Sequence, residues 1–137
     1  LALLFIDIDH FKAVNDEHGH DAGDAALLSI AGQLRAAVAS RGKAYRCGGE
    51  ELILLLPNSS DAEAAATAER VRTAAKGHVI PEIKRAVTVS IGVATVTSPA
   101  TSAEELRRRA DTAMYAAKKT RDAVVSWHED LPPKSTR

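Results

Sequence analysis

Leu1-Ala-Leu-Leu-Phe-Ile6 opens the chain as an unbroken apolar run that ends in Asp7-Ile8-Asp9. With no polar face to offer water, Leu1–Ile8 reads as a strand buried on both faces. Its exit carries two carboxylates two residues apart, a spacing that points both side chains to one face.

The rest of the chain supplies partners for that strand. Residues 15 to 24 are rich in Asn, Asp, His and Gly and read as a loop or turn. Leu27, Ala31, Leu34 and Val38 then recur at helical spacing. Ala44–Cys47 reads as a short strand, Gly48-Gly49 as a turn and Leu52–Leu56 as the returning strand, together a β-hairpin. Ser60 and Glu63 form a capping box for a helix that buries Ala64, Ala68, Val71 and Ala75. Gly77 to Lys84 is a loop containing Pro81. Val87, Val89, Ile91 and Val93 alternate with Thr88, Ser90 and Gly92 as a strand. Ser102 and Glu105 form a second capping box, and the helix behind it buries Leu106, Ala110, Ala113 and Ala117. Ala123–Trp127 closes as a short strand.

The order β-α-β-β-α-β-α-β contains a ferredoxin-like βαββαβ core with an added helix and strand, an α/β (α+β) architecture. Many unrelated functions use that pattern. One domain is expected over residues 1–128, with a disordered polar tail at 129–137.

The length of 137 residues fits one domain. Eighteen basic residues balance eighteen acidic ones, whereas a duplex nucleic-acid binder normally shows a basic excess. No DNA partner is expected, and any nucleotide chemistry must come from a local site. The single cysteine, Cys47, rules out an internal disulfide and fits a reducing compartment. The apolar runs are too short to span a bilayer, and no signal peptide is expected from the opening residues. A start inside a strand suggests a piece of a longer protein.

Several residue groups could carry chemistry. Asp7 and Asp9 repel unless a cation or donor lies between them, and hard oxygen ligands suit Mg²⁺; taken alone, the pair reads more simply as a cap for the next turn. Glu50 and Glu51 follow two glycines that permit φ > 0 and close ligand approach, and Asp7 and Glu50 converge if the hairpin lies beside the first strand. Alone, this is an exposed turn with solvated acids. Lys118, Lys119 and Arg121, at the end of the last helix, could clamp a triphosphate or simply complement the helix dipole. Asn15 and Asp24 could read a guanine edge, the carboxylate accepting from N1–H and N2–H₂, or serve as turn and cap residues. His10, His18 and His20 read as loop polar contacts, and no zinc site is required.

Together these segments resemble the GGDEF family of bacterial diguanylate cyclases. The matching stretches are Asp7-Ile-Asp-His-Phe-Lys-Ala-Val-Asn15-Asp, Gly19-His-Asp-Ala-Gly-Asp24, Arg46-Cys-Gly-Gly-Glu-Glu-Leu52, Val87-Thr-Val-Ser-Ile-Gly-Val93 and Ala110-Asp-Thr-Ala-Met-Tyr-Ala-Ala-Lys118. They occur in the family's order over roughly residues 1 to 125. The resemblance implies a fold similar to nucleotidyl cyclase and palm-type domains. It implies that Asp7, the Ile8 carbonyl and Glu50 bind Mg²⁺ or Mn²⁺, two ions per GTP half-site, with Glu51 near the phosphates or metal. Asp7, Glu50 and Glu51 are then the catalytic set. Backbone amides around His10 and Phe11 would cradle phosphates that Lys118 and Arg121 clamp. Lys12, His20, Gly48 and Gly49 join the substrate-binding set, and Asn15 and Asp24 would read guanine. A homodimer would condense two GTP molecules into cyclic di-GMP and two pyrophosphates. The implied setting is the bacterial cytoplasm, with control by a sensory domain outside this chain and possible tethering through a missing N-terminal region.

The chain also departs from the family pattern. Leu52 stands where Phe is usual. Lys118-Lys119-Thr120-Arg121 lacks the glycine that commonly precedes the arginine and is one residue shorter, so Lys119 competes with Arg121 for the phosphate role. Ala39 and Gly42 replace the Arg and Asp of the family's inhibitory product site, so none of that type is expected. The alternative to an active cyclase is a non-catalytic receptor module that binds GTP or cyclic di-GMP.

Overall fold

The computed structural model describes residues 1–38 and 40–134. The opening apolar run forms β1 (Ala2–Ile8), which is buried at every position. It lies between β3 (Glu51–Leu56) and β4 (Val89–Thr95), antiparallel to both. With β2 (Lys43–Arg46) and β5 (Ala123–Ser126), the sheet has five strands in the order β2-β3-β1-β4-β5. The first four strands in that order form the ferredoxin-like core, and β5 adds a parallel edge beside β4.

Strand alternation divides the core into two layers. Leu4, Ile6 and Ile8 of β1 pack with Leu27, Ile30 and Leu34 of α2 (His20–Val38) and with Ala64, Ala68 and Val71 of α3 (Asp61–Gly77). Leu3 and Phe5 face the other way, against Leu106, Ala110 and Met114 of α4 (Ala103–Ala117). Gly92 allows α4 to close on β4, because a Cβ there would lie 2.1 Å from the Ala110 carbonyl oxygen and 2.2 Å from the Met114 nitrogen.

The expected loop over residues 15 to 24 is corrected to two helices, α1 (Phe11–His18) and the start of α2, broken at Gly19. Buried Phe11 and Val14, then Ala22, Gly23 and Ala26, carry an apolar stripe through a polar stretch of sequence. Gly19 takes φ 88° at the break, and its amide still bonds the Asn15 carbonyl at 2.8 Å. Within α2, Ile30 is fully buried and Ala31 only partly so.

Ser60 and Glu63 form the full capping box on α3. The second box is only half made. Ser102 Oγ accepts from the Glu105 amide at 3.1 Å, but the Glu105 carboxylate turns to Arg108 and Arg109, whose guanidinium charges outcompete a neutral backbone donor. After β5 the chain turns back, and Lys134 Nζ lies 3.0 Å from Asp111 Oδ2. Residues 135–137, part of the expected tail, and Ala39 lie outside the described residues. No helix among the described residues is long and apolar enough to cross a membrane.

Candidate active site

The exit of β1 and the hairpin turn build one end of the sheet. Asp7 lies opposite Glu51 in the β1–β3 ladder and opposite Ser90 in the β1–β4 ladder. Residues directly opposite share a face, so these three side chains stand on the α4 side. The Ile8 amide donates to the Glu50 carbonyl at 3.3 Å and brings the turn beside β1. Arg46 fastens the turn, with Nε donating to the Gly48 carbonyl at 3.0 Å and Nη2 to the Gly49 carbonyl at 2.9 Å. Gly48 and Gly49 do not use the positive φ that glycine permits, since Gly19 alone among the described glycines has it. Gly48 provides space instead, because a Cβ there would lie 2.9 Å from Glu51 Oε1.

Lys118 caps α4 and reaches the same place from the other direction. Its Nζ lies 3.1 Å from Asp7 Oδ1 and 3.1 Å from Asp9 Oδ1, and it donates to the Ile8 carbonyl at 3.4 Å. The Asp7 contact is an ion pair without hydrogen-bond alignment, and Asp7 Oδ1 is buried with no hydrogen-bond partner.

Charge is crowded here. Burial pushes Asp7 up to about 6; Lys118 pulls it back, and the Glu50 and Asp9 charges add to the rise. Burial also raises Glu51, helped by the charges of Asp7 and Asp111. Clustered acids with a single lysine among them leave excess negative charge, which a hard cation would neutralise. Among the described residues no group of three or more His, Cys, Asp or Glu side chains is placed to hold a metal ion. Mg²⁺ does not need one, since it typically uses one or two carboxylates and completes its shell with water and substrate phosphates. Asp7 Oδ1, ion-paired with Lys118 but accepting no hydrogen bond, fits that chemistry beside the Ile8 carbonyl and the Glu50 turn.

The phosphate and base candidates lie on α1 and α2. His10 precedes α1 with φ 57°, and no side chain caps the helix, so its first amides remain available to an anion. Phe11 is buried, while Lys12 and His20 are exposed. Asn15 packs on Gly23, where a Cβ would lie 1.9 Å from Asn15 Oδ1. That oxygen is buried without a partner, next to the residue that precedes Asp24. Asp24 lines a cleft of about 420 Å³ with Leu27, Leu28, Arg35, Arg46 and Leu52. A larger cleft, about 640 Å³, opens beside Arg41, Pro57, Glu63 and Arg70 and contains none of the acids of the sheet end. Arg121 and Lys119 are exposed beyond α4. Gly42, just before β2, packs on the Leu55 carbonyl, 2.6 Å from a would-be Cβ.

Residues 1–123 match the family described as diguanylate cyclase, GGDEF domain. The chain belongs to the GGDEF family. It is similar to Diguanylate cyclase A of Treponema denticola, 39% identical over 135 residues, which cover 96% of this chain and 36% of that protein. It is similar to the response regulator PleD of Caulobacter vibrioides, 38% identical over 134 residues, 91% of this chain and 29% of that protein. The chain thus spans about a third of the length of these relatives. Among solved structures, the active GGEEF domain of a diguanylate cyclase from Vibrio cholerae superposes with a TM-score of 0.88 at 30% identity, covering 94% of this chain and 83% of that one. The GGDEF domain of DgcB from Caulobacter crescentus, in complex with c-di-GMP, superposes with a TM-score of 0.84 at 33% identity, covering 91% of this chain and 76% of that one.

In this GGDEF domain Asp9, in the sequence only half of an Asp-x-Asp pair, accepts hydrogen bonds from Thr88, Ser90, Lys118 and the Asp122 amide. Thr88, Ser90, Asp122 and Arg46 were not among the expected site residues. Thr88 and Ser90 could have been found, because they are the polar members of an otherwise apolar alternating strand and need an acceptor on the strand beside them.

Proposed function

We propose that this GGDEF domain is a diguanylate cyclase that condenses two GTP molecules into cyclic di-GMP and two pyrophosphates. The observation that carries the reading is the convergence of Asp7, the Ile8 carbonyl, the Glu50–Glu51 turn and Lys118 at one end of the sheet. Membership of the GGDEF family and the names of the relatives support nucleotidyl transfer as the chemistry.

In each half-reaction the 3′-oxygen of one GTP bonds to the α-phosphorus of the other, and the bond to pyrophosphate breaks. Such transfers depend on positioning and charge neutralisation. Asp7, the Ile8 carbonyl and Glu50 would hold Mg²⁺ or Mn²⁺, two ions per half-site. Bound there, such an ion would supply neutralisation of phosphate charge and a lower pKa for the attacking hydroxyl. Glu51, whose affinity for a proton is raised by burial, is suited to receive the hydroxyl proton. Lys118 and the uncapped start of α1 hold phosphate oxygens, with Arg121 or Lys119 beside them. Asn15 and Asp24 bind the guanine edge with the buried amide oxygen and the cleft carboxylate. One site holds one GTP, so ring closure takes two domains facing each other across an approximate two-fold axis. With Gly42 packed on the backbone, the family's usual inhibitory product site is absent in this proposal.

Incubation with GTP and Mg²⁺ or Mn²⁺, followed by nucleotide separation, tests the reading against a Glu50→Ala variant. Cyclic di-GMP from the wild type and none from the variant is expected. Equal turnover by the variant would remove Glu50 from the metal set.

A further inference from the structure

Asp9 has no exposed side-chain surface, yet it gathers four donors from separate parts of the chain. Thr88 Oγ1 donates at 2.7 Å, Ser90 Oγ at 2.6 Å, the Asp122 amide at 2.8 Å and Lys118 Nζ at 3.1 Å. A carboxylate this enclosed is tolerated as an anion only when its lone pairs are filled. Burial pushes its pKa up, but the bonds from Ser90, the Asp122 amide, Thr88 and Lys118 outweigh that and hold it below the ordinary range.

The second observation is the turn that one of those donors belongs to. Arg121 and Asp122 both have positive φ, 60° and 46°. Non-glycine residues in that region are strained and persist where their surroundings over-determine them. Here the surroundings are identifiable. The Asp122 amide is held by Asp9, and the Arg121 amide donates to the Ala117 carbonyl at 2.9 Å. The Asp122 carboxylate lies 2.7 Å from Arg72 Nη1 and 3.0 Å from Lys76 Nζ, both on α3.

We infer that Asp9 is a positioning residue for the nucleotide triphosphate. It holds Lys118 beside Asp7 and, through the Asp122 amide, fixes the strained Arg121–Asp122 turn, while Arg72 and Lys76 anchor that turn to α3. Asp9 touches no substrate atom in this role. It sets where two basic side chains lie before phosphate arrives, which lowers the ordering that binding otherwise demands of flexible cations. The inference rests on the GTP reading above.

The test measures affinity for 3′-deoxy-GTP with Mg²⁺, which cannot cyclise because the attacking oxygen is missing, and for guanosine, which has no phosphate. Thr88→Val removes one donor to Asp9 while keeping the shape of the side chain. Asp122→Asn keeps the amide and removes the charge facing Arg72 and Lys76. Each variant is expected to bind 3′-deoxy-GTP about three- to ten-fold more weakly, less than the loss of a direct charge-assisted contact because the altered group acts through Lys118 or the turn and not on the ligand, and guanosine as the wild type does. Asp9→Asn should give the larger loss in the same direction, and the two milder variants decide the matter if it fails to fold. Unchanged triphosphate affinity in both milder variants would overturn the inference. So would equal weakening of both ligands, which marks a merely structural role. A wild type that binds no guanine nucleotide would fell the GTP reading, and this inference with it.

Discussion

Lys118 Nζ lies 3.1 Å from Asp7 Oδ1, so the last helix delivers a cation to the acid at the end of the first strand. The pairing does not fully offset the burial of Asp7 or the neighbouring Glu50 and Asp9 charges, since the Asp7 pKa still stands at about 6 against an ordinary 3.8. A folded-state value above the unfolded one means that the contribution of Asp7 to stability is complete below about pH 4 and is lost as pH rises through about 6.

Asp7→Asn is therefore expected to stabilise the metal-free protein at about pH 7.5, by on the order of 1–2 kcal/mol. The gain should fade as the pH is lowered to about 4. Thermal unfolding in chelator across that range measures it. A variant less stable than the wild type at neutral pH would show that Lys118 compensates Asp7 completely.

Asp122 has the opposite sign. Burial opposes ionisation, but its bonds from Lys76 and Arg72 prevail and hold the carboxyl below its ordinary 3.8. Its stabilisation is present above that value and is lost as pH falls through the lower folded-state value. Asp122→Asn should be less stable than the wild type near neutral pH by about 0.5–1 kcal/mol, given its partial exposure. The gap should close in acid. A gap that stays constant from neutral pH into acid would show that the ion pairs contribute nothing.

Two glycines separate packing from function. At Gly92 an added methyl meets the backbone of α4, 2.1 Å from the Ala110 oxygen, and neither helix nor strand can yield. Gly92→Ala is expected to cost more than about 3 kcal/mol in urea unfolding. At Gly23 the methyl meets the end of the Asn15 side chain, which can rotate away. Gly23→Ala should leave the unfolding midpoint nearly unchanged and weaken guanosine binding by about ten-fold, the scale of one lost hydrogen bond. Unaltered guanosine binding would remove Asn15 from the base site.

The sheet was readable because its signals are local. The unbroken run of β1, the two strands around Gly48-Gly49, the alternation at 87–93 and the Ser60–Glu63 box each declare an element within a few residues. The body of α2 was readable from Leu27, Leu34 and Val38, but α1 and the start of α2 were not, since Asn15, Asp16, His18 and His20 are turn-forming letters and the buried stripe through Val14, Ala22 and Ala26 depends on packing against the sheet. Asp7 and the hairpin acids were legible as candidates, while their nearness follows from a β1–β3 register that no single segment encodes. Asp9 was hidden for the same reason, its partners at Thr88, Ser90, Lys118 and Asp122 being far away in sequence. Glu105 shows a local signal overridden, its carboxylate taken by arginines one turn later.

The most direct measurement is the product balance when the protein is incubated with GTP and Mg²⁺. Quantifying cyclic di-GMP and pyrophosphate together separates ring closure from simple hydrolysis. The account predicts cyclic di-GMP with two pyrophosphates released per ring, and a rate per chain that rises with protein concentration as half-sites pair. Tight GTP binding with no cyclic dinucleotide at any protein concentration would contradict it and leave a GTP-binding module in its place.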